Sequence, residues 1–168
     1  MKEIQAIIEM IKRDLSCICY PPIGEPMLPE GLTLPADLRT FYQSLGGIHL
    51  FPDASFPLQI VSPSDFVRAN PIIVGENWEE DITYNWFIIA QSEGFGGQYI
   101  TIDLGKGRMG LCYDSYWDRH VNFDCPIIAN SFTDFLLQAY RTKGEIWYWA
   151  ADGFNNYGMS HESIEPLN

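Results

Sequence analysis

The sequence predicts an α+β fold, a single domain of mainly antiparallel β-sheet flanked by helices, and three observations carry that prediction. Apolar residues recur at helical spacing in three stretches, residues 4–15, 38–45 and 132–140. Between the second and third the period changes to that of strands, over residues 86–91, 98–103 and 109–114, separated by the glycine-bearing SEGFGG and LGKGR. Connections so short read as hairpins, hence an antiparallel meander. At 168 residues, 46% hydrophobic and 19% charged, the chain has the length of one core and enough apolar surface to outweigh chain ordering.

Taken in order, the first helix places Ile4, Ile7, Ile8, Ile11 and Leu15 on one face and ends near Ser16. Four prolines, at 21, 22, 26 and 29, then deny helix continuation and sheet pairing, so residues 17–29 read as an ordered connector anchored by Ile18, Tyr20, Ile23 and Met27. In LPADLRTFYQSLGG, Pro35 suits a first helical turn, Asp37 complements the dipole, and Thr33 or Leu34 caps. Leu38, Phe41, Tyr42 and Leu45 share a face and Gly46 supplies a left-handed stop. Residues 58–61 read as a strand, and Ser62-Pro63-Ser64-Asp65 as the opening of a short helix through about Ala69. The following PIIVGENWEED reads as an acidic loop. After the meander, Asn130 or Ser131 caps a closing helix, with Asp134 completing a capping box, Phe132, Phe135, Leu136, Ala139 and Tyr140 facing inward, and Gly144 as the stop. Residues 145–168 form an extension in which Trp147 to Trp149 add a strand or packed arm before a polar, mobile end.

The net charge of −12 is uneven: residues 1–75 carry 8 acids and 5 bases, residues 76–168 carry 14 acids and 5 bases. A chain this acidic is a poor ligand for nucleic acid or anionic membranes, which require clustered Lys and Arg. Charges at Glu3, Glu9, Lys12 and Arg13 interrupt any leader-like apolar run, and no later run is long enough to span a bilayer, so a cytoplasmic location is expected. Cys17 and Cys19 are too closely spaced for a zinc-ribbon pair; with Cys112 and Cys125 they read as reduced thiols.

Catalytic patterns are sparse. There is no Gly-x-Ser-x-Gly elbow, and the glycine runs GFGGQ and GKGRMG lie between strands rather than leading into a helix, so they make turns and not phosphate cradles. Asp114, Asp118, His120 and Asp124 fall within eleven residues and offer a divalent-ion reading, yet they match no calcium-loop or metalloprotease spacing and read better as solvated loop charges; no cofactor is implied. GENWEED differs, because Trp78 amid Glu76, Glu79, Glu80 and Asp81 combines an aromatic anchor with a negative rim, the means of capturing a Lys- and Arg-rich partner. A solvated loop with Trp78 turned into the core is the plainer alternative. Tyr116, Trp117 and Asp118 form a second patch of the same kind.

Three blocks in order resemble the SMI1/KNR4 family, also called the SUKH superfamily: LPADLRTFYQSLGG, WFIIAQSEGFGGQYITIDL and IIANSFTDFLLQ, together about residues 30–140. The resemblance implies an antiparallel sheet flanked by helices and no shared catalytic set. Its bacterial members act as immunity proteins that bind polymorphic toxins, often nucleases, and its eukaryotic members are linked to cell-wall regulation and scaffolding. The expectation is therefore a non-enzymatic immunity protein whose partner is a cognate toxin, basic where a nuclease holds phosphate. A regulatory scaffold with an endogenous partner, or a metal-dependent enzyme using residues 114–124, are the rivals. Nothing in the chain fixes its oligomeric state.

Overall fold

In the computed structural model, which describes residues 1–92 and 94–162, seven strands follow one another across one antiparallel sheet in chain order. They are β1 (Cys17–Cys19), β2 (Ile48–Leu50), β3 (Leu58–Ile60), β4 (Trp86–Gln91), β5 (Tyr99–Asp103), β6 (Cys112–Asp114) and β7 (Ile127–Ala129). The helices are α1 (Lys2–Arg13), α2 (Ala36–Ser44), α3 (Ala69–Ile73), α4 (Trp117–Val121) and α5 (Phe132–Arg141), with a 3-10 turn at Tyr148–Ala150. The α+β class is as the sequence predicts.

Helices α1, α2 and α5 pack on one another, α1 reaching β1 and α5 reaching β7. Ile4, Ile7, Ile8 and Ile11 of α1 are buried against Leu38, Phe41 and Tyr42 of α2 and Phe132, Phe135 and Leu136 of α5 in one core. Each such isoleucine contributes about 1.5–3 kcal/mol of burial. The α5 start is fixed twice: Ser131 Oγ accepts the Asp134 N–H at 3.1 Å, while Asp37 of α2 accepts both the N–H and the hydroxyl of Thr133, at 2.8 and 2.9 Å. Asp37 therefore caps a helix 96 residues away as well as sitting in its own first turn. In β4 and β6, Trp86 stacks on Tyr113 at 3.8 Å, and its indole N–H donates to buried Asp103 at 2.9 Å. Burial pushes the Asp103 carboxyl up from its ordinary value, opposed by the Gly105 N–H, Arg108 and Trp86.

Several expectations are corrected. The helix expected from Ser62 does not form: residues 63–65 make a turn in which Ser62 Oγ donates to Asp65 at 2.7 Å, and the chain then runs out to bury Phe66 against Phe87 and Tyr42. Tertiary packing of one aromatic overrides the local capping signal. Helix α3 begins instead at Ala69, where the expected helix is to end, and runs to Ile73 in what reads as loop. Leu15 is fully exposed, because α1 ends at Arg13 and Asp14 turns the chain, bonding Ser16, Tyr140 and Lys143. Gly46 is not a left-handed stop: Leu45 ends α2 in extended backbone, Gly47 has φ +132°, and Gly46 is required because a Cβ there would lie 2.4 Å from the Pro21 carbonyl oxygen. The connector before the prolines does pair, as β1 against β2. The 147–149 segment is a helical turn rather than a strand, and the end of the extension, residues 163–168, lies outside the described residues.

Candidate partner-binding face

Glycine 75, at φ +87°, turns the chain out of α3 into the acidic segment. Trp78 is 59% exposed there, so it is not turned into the core, and its indole N–H donates to Glu76 at 2.7 Å. Glu79 and Glu80 are exposed and Asp81 is half-buried. The segment's return is held by Arg68, whose guanidinium lies 3.9 Å over the Tyr84 ring and donates to Asn85 at 3.2 Å. The loop is thus held at its two ends, and it presents one indole and the exposed carboxylates of Glu76, Glu79 and Glu80 to solvent, Glu76 accepting from Trp78 and Glu79 from the Tyr84 hydroxyl at 3.5 Å.

The second patch sits on α4. Tyr116, Trp117 and Asp118 are all exposed, and the Trp117 N–H donates to Gly97 O at 3.0 Å. Its ring lies so close over Gly97 that a Cβ there would stand 2.6 Å from Cδ1, at a backbone φ of +82°. The GFGG turn therefore serves as the seat of an indole.

A buried histidine ties α4 to α3. His120, fully buried on α4, holds Nε2 at 2.7 Å from Asn70 Oδ1 on α3, with its ring edge-on to Trp86 at 5.8 Å. Burial lowers its pKa to about 4, so it is neutral at neutral pH. Beyond the two helices, Glu80 and Asp81 share a shallow recess of about 290 Å³ with Phe123 and His161. The Trp78 loop leaves α3 and Trp117 opens α4, and those two helices are packed on each other.

The cluster from Asp114 to Asp124 does not converge. Asp114 is buried and accepts from Arg119 at 2.6 Å and Gln98 at 2.8 Å; His120 points to Asn70; Asp124 is exposed beside His161 at 3.6 Å. Among the described residues no three His, Cys, Asp or Glu side chains are placed to hold a metal ion. All four thiols are free. Burial pushes Cys112 well above the usual thiol range and Cys125 up to about 12, which suits packing rather than nucleophilic attack.

Sequence reasoning missed part of this face. Trp147 and Trp149 stack in parallel at 5.7 Å on the extension and, with Tyr116, Arg119, Gln98 and Asp114, line a cleft of about 260 Å³ beside the second patch. Phe95 of the SEGFGG turn packs edge-on to Trp147 at 4.8 Å. The available signal was three aromatics in a row, at 147–149, in a segment with no periodicity to assign them to.

No helix among the described residues is long and apolar enough to cross a membrane. No solved structure matches the chain. The chain is 40% identical over 163 residues to a protein named Immunity protein YokJ of Bacillus subtilis (strain 168), covering 96% of this chain and 98% of that protein. That alignment runs through most of the extension that carries Trp147 and Trp149. A family model described as SMI1 / KNR4 family (SUKH-1) matches residues 28–138, from the lead-in of α2 into α5, and with it the three motif blocks, so the chain belongs to the SMI1/KNR4 family.

Proposed function

We propose that this protein neutralises a cognate toxin in the cytoplasm by contact, without catalysis, presenting the Trp78 loop and α4 to a basic domain such as a nuclease. The observation that carries the reading is the likeness over 96% of the chain to a protein named as an immunity protein. The face itself supports the mode of action. A nuclease is basic where it holds phosphate, so a carboxylate surface competes for the same ground and accelerates encounter through long-range attraction. Indole burial then slows dissociation, and Trp78 and Trp117, at 59% and 48% exposed, have that area to bury.

The test is co-expression with each candidate toxin encoded in the neighbouring genes. Growth rescue and a purified pair support immunity, and failure of the unmodified protein to rescue or bind overturns it. Charge reversal at Glu79, Glu80 and Asp81 is expected to slow association at low salt. Rescue and association unchanged in that variant would move the contact face elsewhere.

A further inference from the structure

Attraction by charge does not tell one basic partner from another, because every Lys- or Arg-rich surface gains from the same carboxylates. The cleft beside the second patch is chemically unlike the acidic loop. Its walls are Tyr116, Trp147 and Trp149, and its polar groups are Gln98, Asp114 and Arg119. Tyr, Trp and Arg are the residue types that carry most binding energy where they meet in an interface pocket. At about 260 Å³ the space falls below the roughly 300–1,000 Å³ of small-molecule pockets and suits one side chain.

Its hydrogen-bonding capacity is one-sided. The Asp114 carboxylate is buried and already engaged, accepting from Gln98 Nε2 at 2.8 Å, from Arg119 Nη1 at 2.6 Å and from the Tyr116 N–H at 3.3 Å. Arg119 commits one edge of its guanidinium there, and its side chain is 50% exposed. The Trp147 indole N–H is buried and has no acceptor among the described residues, while Trp149 stacks on its ring and Phe56 and Phe95 pack edge-on to it. The cleft therefore has donors to spare and its acceptor is taken. Asp114 and Arg119 cancel in charge, and no other charged residue lines the walls, so an incoming anion meets no net negative charge from them.

We propose that this cleft takes one carboxylate side chain, Asp or Glu, of the toxin and so selects among the basic domains that the acidic loop draws in, an inference that rests on the toxin-contact reading above. A carboxylate only accepts, and it matches the open part of the guanidinium fork. Arg119 then lies between Asp114 and the toxin carboxylate, so neither charge is buried alone. A Lys or Arg side chain is refused, because Arg119 repels it and Asp114 is occupied. A neutral apolar side chain leaves the donors dry and unpaired, the kind of mismatch that discriminates most sharply.

The probe is the toxin domain that the unmodified protein binds on co-expression, measured by surface plasmon resonance at fixed salt. Arg119→Lys keeps a cation on Asp114 and gives up the planar fork; the dissociation rate is expected to rise at least about tenfold with the association rate unchanged. Trp147→Phe keeps a ring and removes the N–H, with a rise of about threefold to tenfold expected, and it carries the test if Arg119→Lys fails to fold. Each toxin Asp and Glu is then changed to Asn or Gln. One of these changes is expected to weaken binding to the unmodified protein at least about tenfold, and binding to the Arg119→Lys or Trp147→Phe variant by less than about threefold. Unchanged dissociation in both variants, or no toxin carboxylate coupled to the cleft, overturns the proposal and leaves the immunity reading standing. Failure of the unmodified protein to bind any of the candidate toxins overturns both.

Discussion

The buried His120 gives a pH dependence whose size follows from its surroundings. In the folded protein burial lowers its pKa from 6.5 to about 4, whereas in the unfolded chain it titrates at its ordinary value. Between those two values the unfolded chain binds the extra proton, so stability falls as pH falls. The contribution is complete above about pH 7 and is lost progressively below 6.5. Linkage gives a loss of about 2 kcal/mol by pH 5 and about 3 kcal/mol by pH 4. Asp14, held below the usual carboxylate range chiefly by Ser16 and Lys143, loses its own contribution only below pH 3.8, outside this window. Asp103, raised by burial, acts in the opposite sense, so the difference between two proteins isolates the histidine. Urea melts of the unmodified protein and His120→Gln at pH 7.5, 6.5, 5.5 and 5.0 provide that difference. The variant is expected to be less stable at pH 7.5 and to lose about 2 kcal/mol less on acidification to pH 5. Parallel curves for the two proteins would refute the assignment of the slope to His120.

Three further outcomes are expected. Trp78→Ala should raise the dissociation rate of the toxin complex by about tenfold to thirtyfold with little change in association rate, read by surface plasmon resonance. Asp37→Ala removes the acceptor of two α5 bonds and should cost about 1–3 kcal/mol in urea melts, more than the loss of an ordinary dipole contact. Gly97→Ala pairs an unfavourable φ of +82° with a clash on Trp117; a red-shifted tryptophan emission is expected as the indole is displaced, together with weaker toxin binding.

The elements legible in the sequence were those whose side chains repeat long enough to show a period. Helices α1 and α5 and strands β4 and β5 each span at least five residues with an apolar face or run, and their placement follows from that alone. Strands β1, β2 and β7 are three residues long, too short for alternation to be distinguished from chance, and exist because neighbours already hold the sheet open beside them. The Ser62 signal misled because its hydroxyl chemistry is the same in a turn as in a helix cap, and only the burial of Phe66 decides between them. At the candidate face, Trp78 and the Tyr116–Trp117 pair stood out as indoles and phenol amid carboxylates. The pair that ties α3 to α4, His120 on Asn70, lies 50 residues apart in sequence and carries no local mark. Trp147 and Trp149 belong to the same surface through a 3-10 turn that no periodicity announces.

A sheet laid down in chain order has a consequence for synthesis. Each strand leaving the ribosome finds its neighbour already present, so pairing never has to wait for a distant segment. The first helix is the exception: its isoleucines share a core with α5, and Asp14 just after it receives Tyr140 at a separation of 126 residues. At about 5–20 residues per second, the oily side of α1, covered by α2 early, waits on the order of ten seconds for the part of its cover that α5 supplies. The growing chain stays sticky at its oldest end until the last helix to emerge completes that burial.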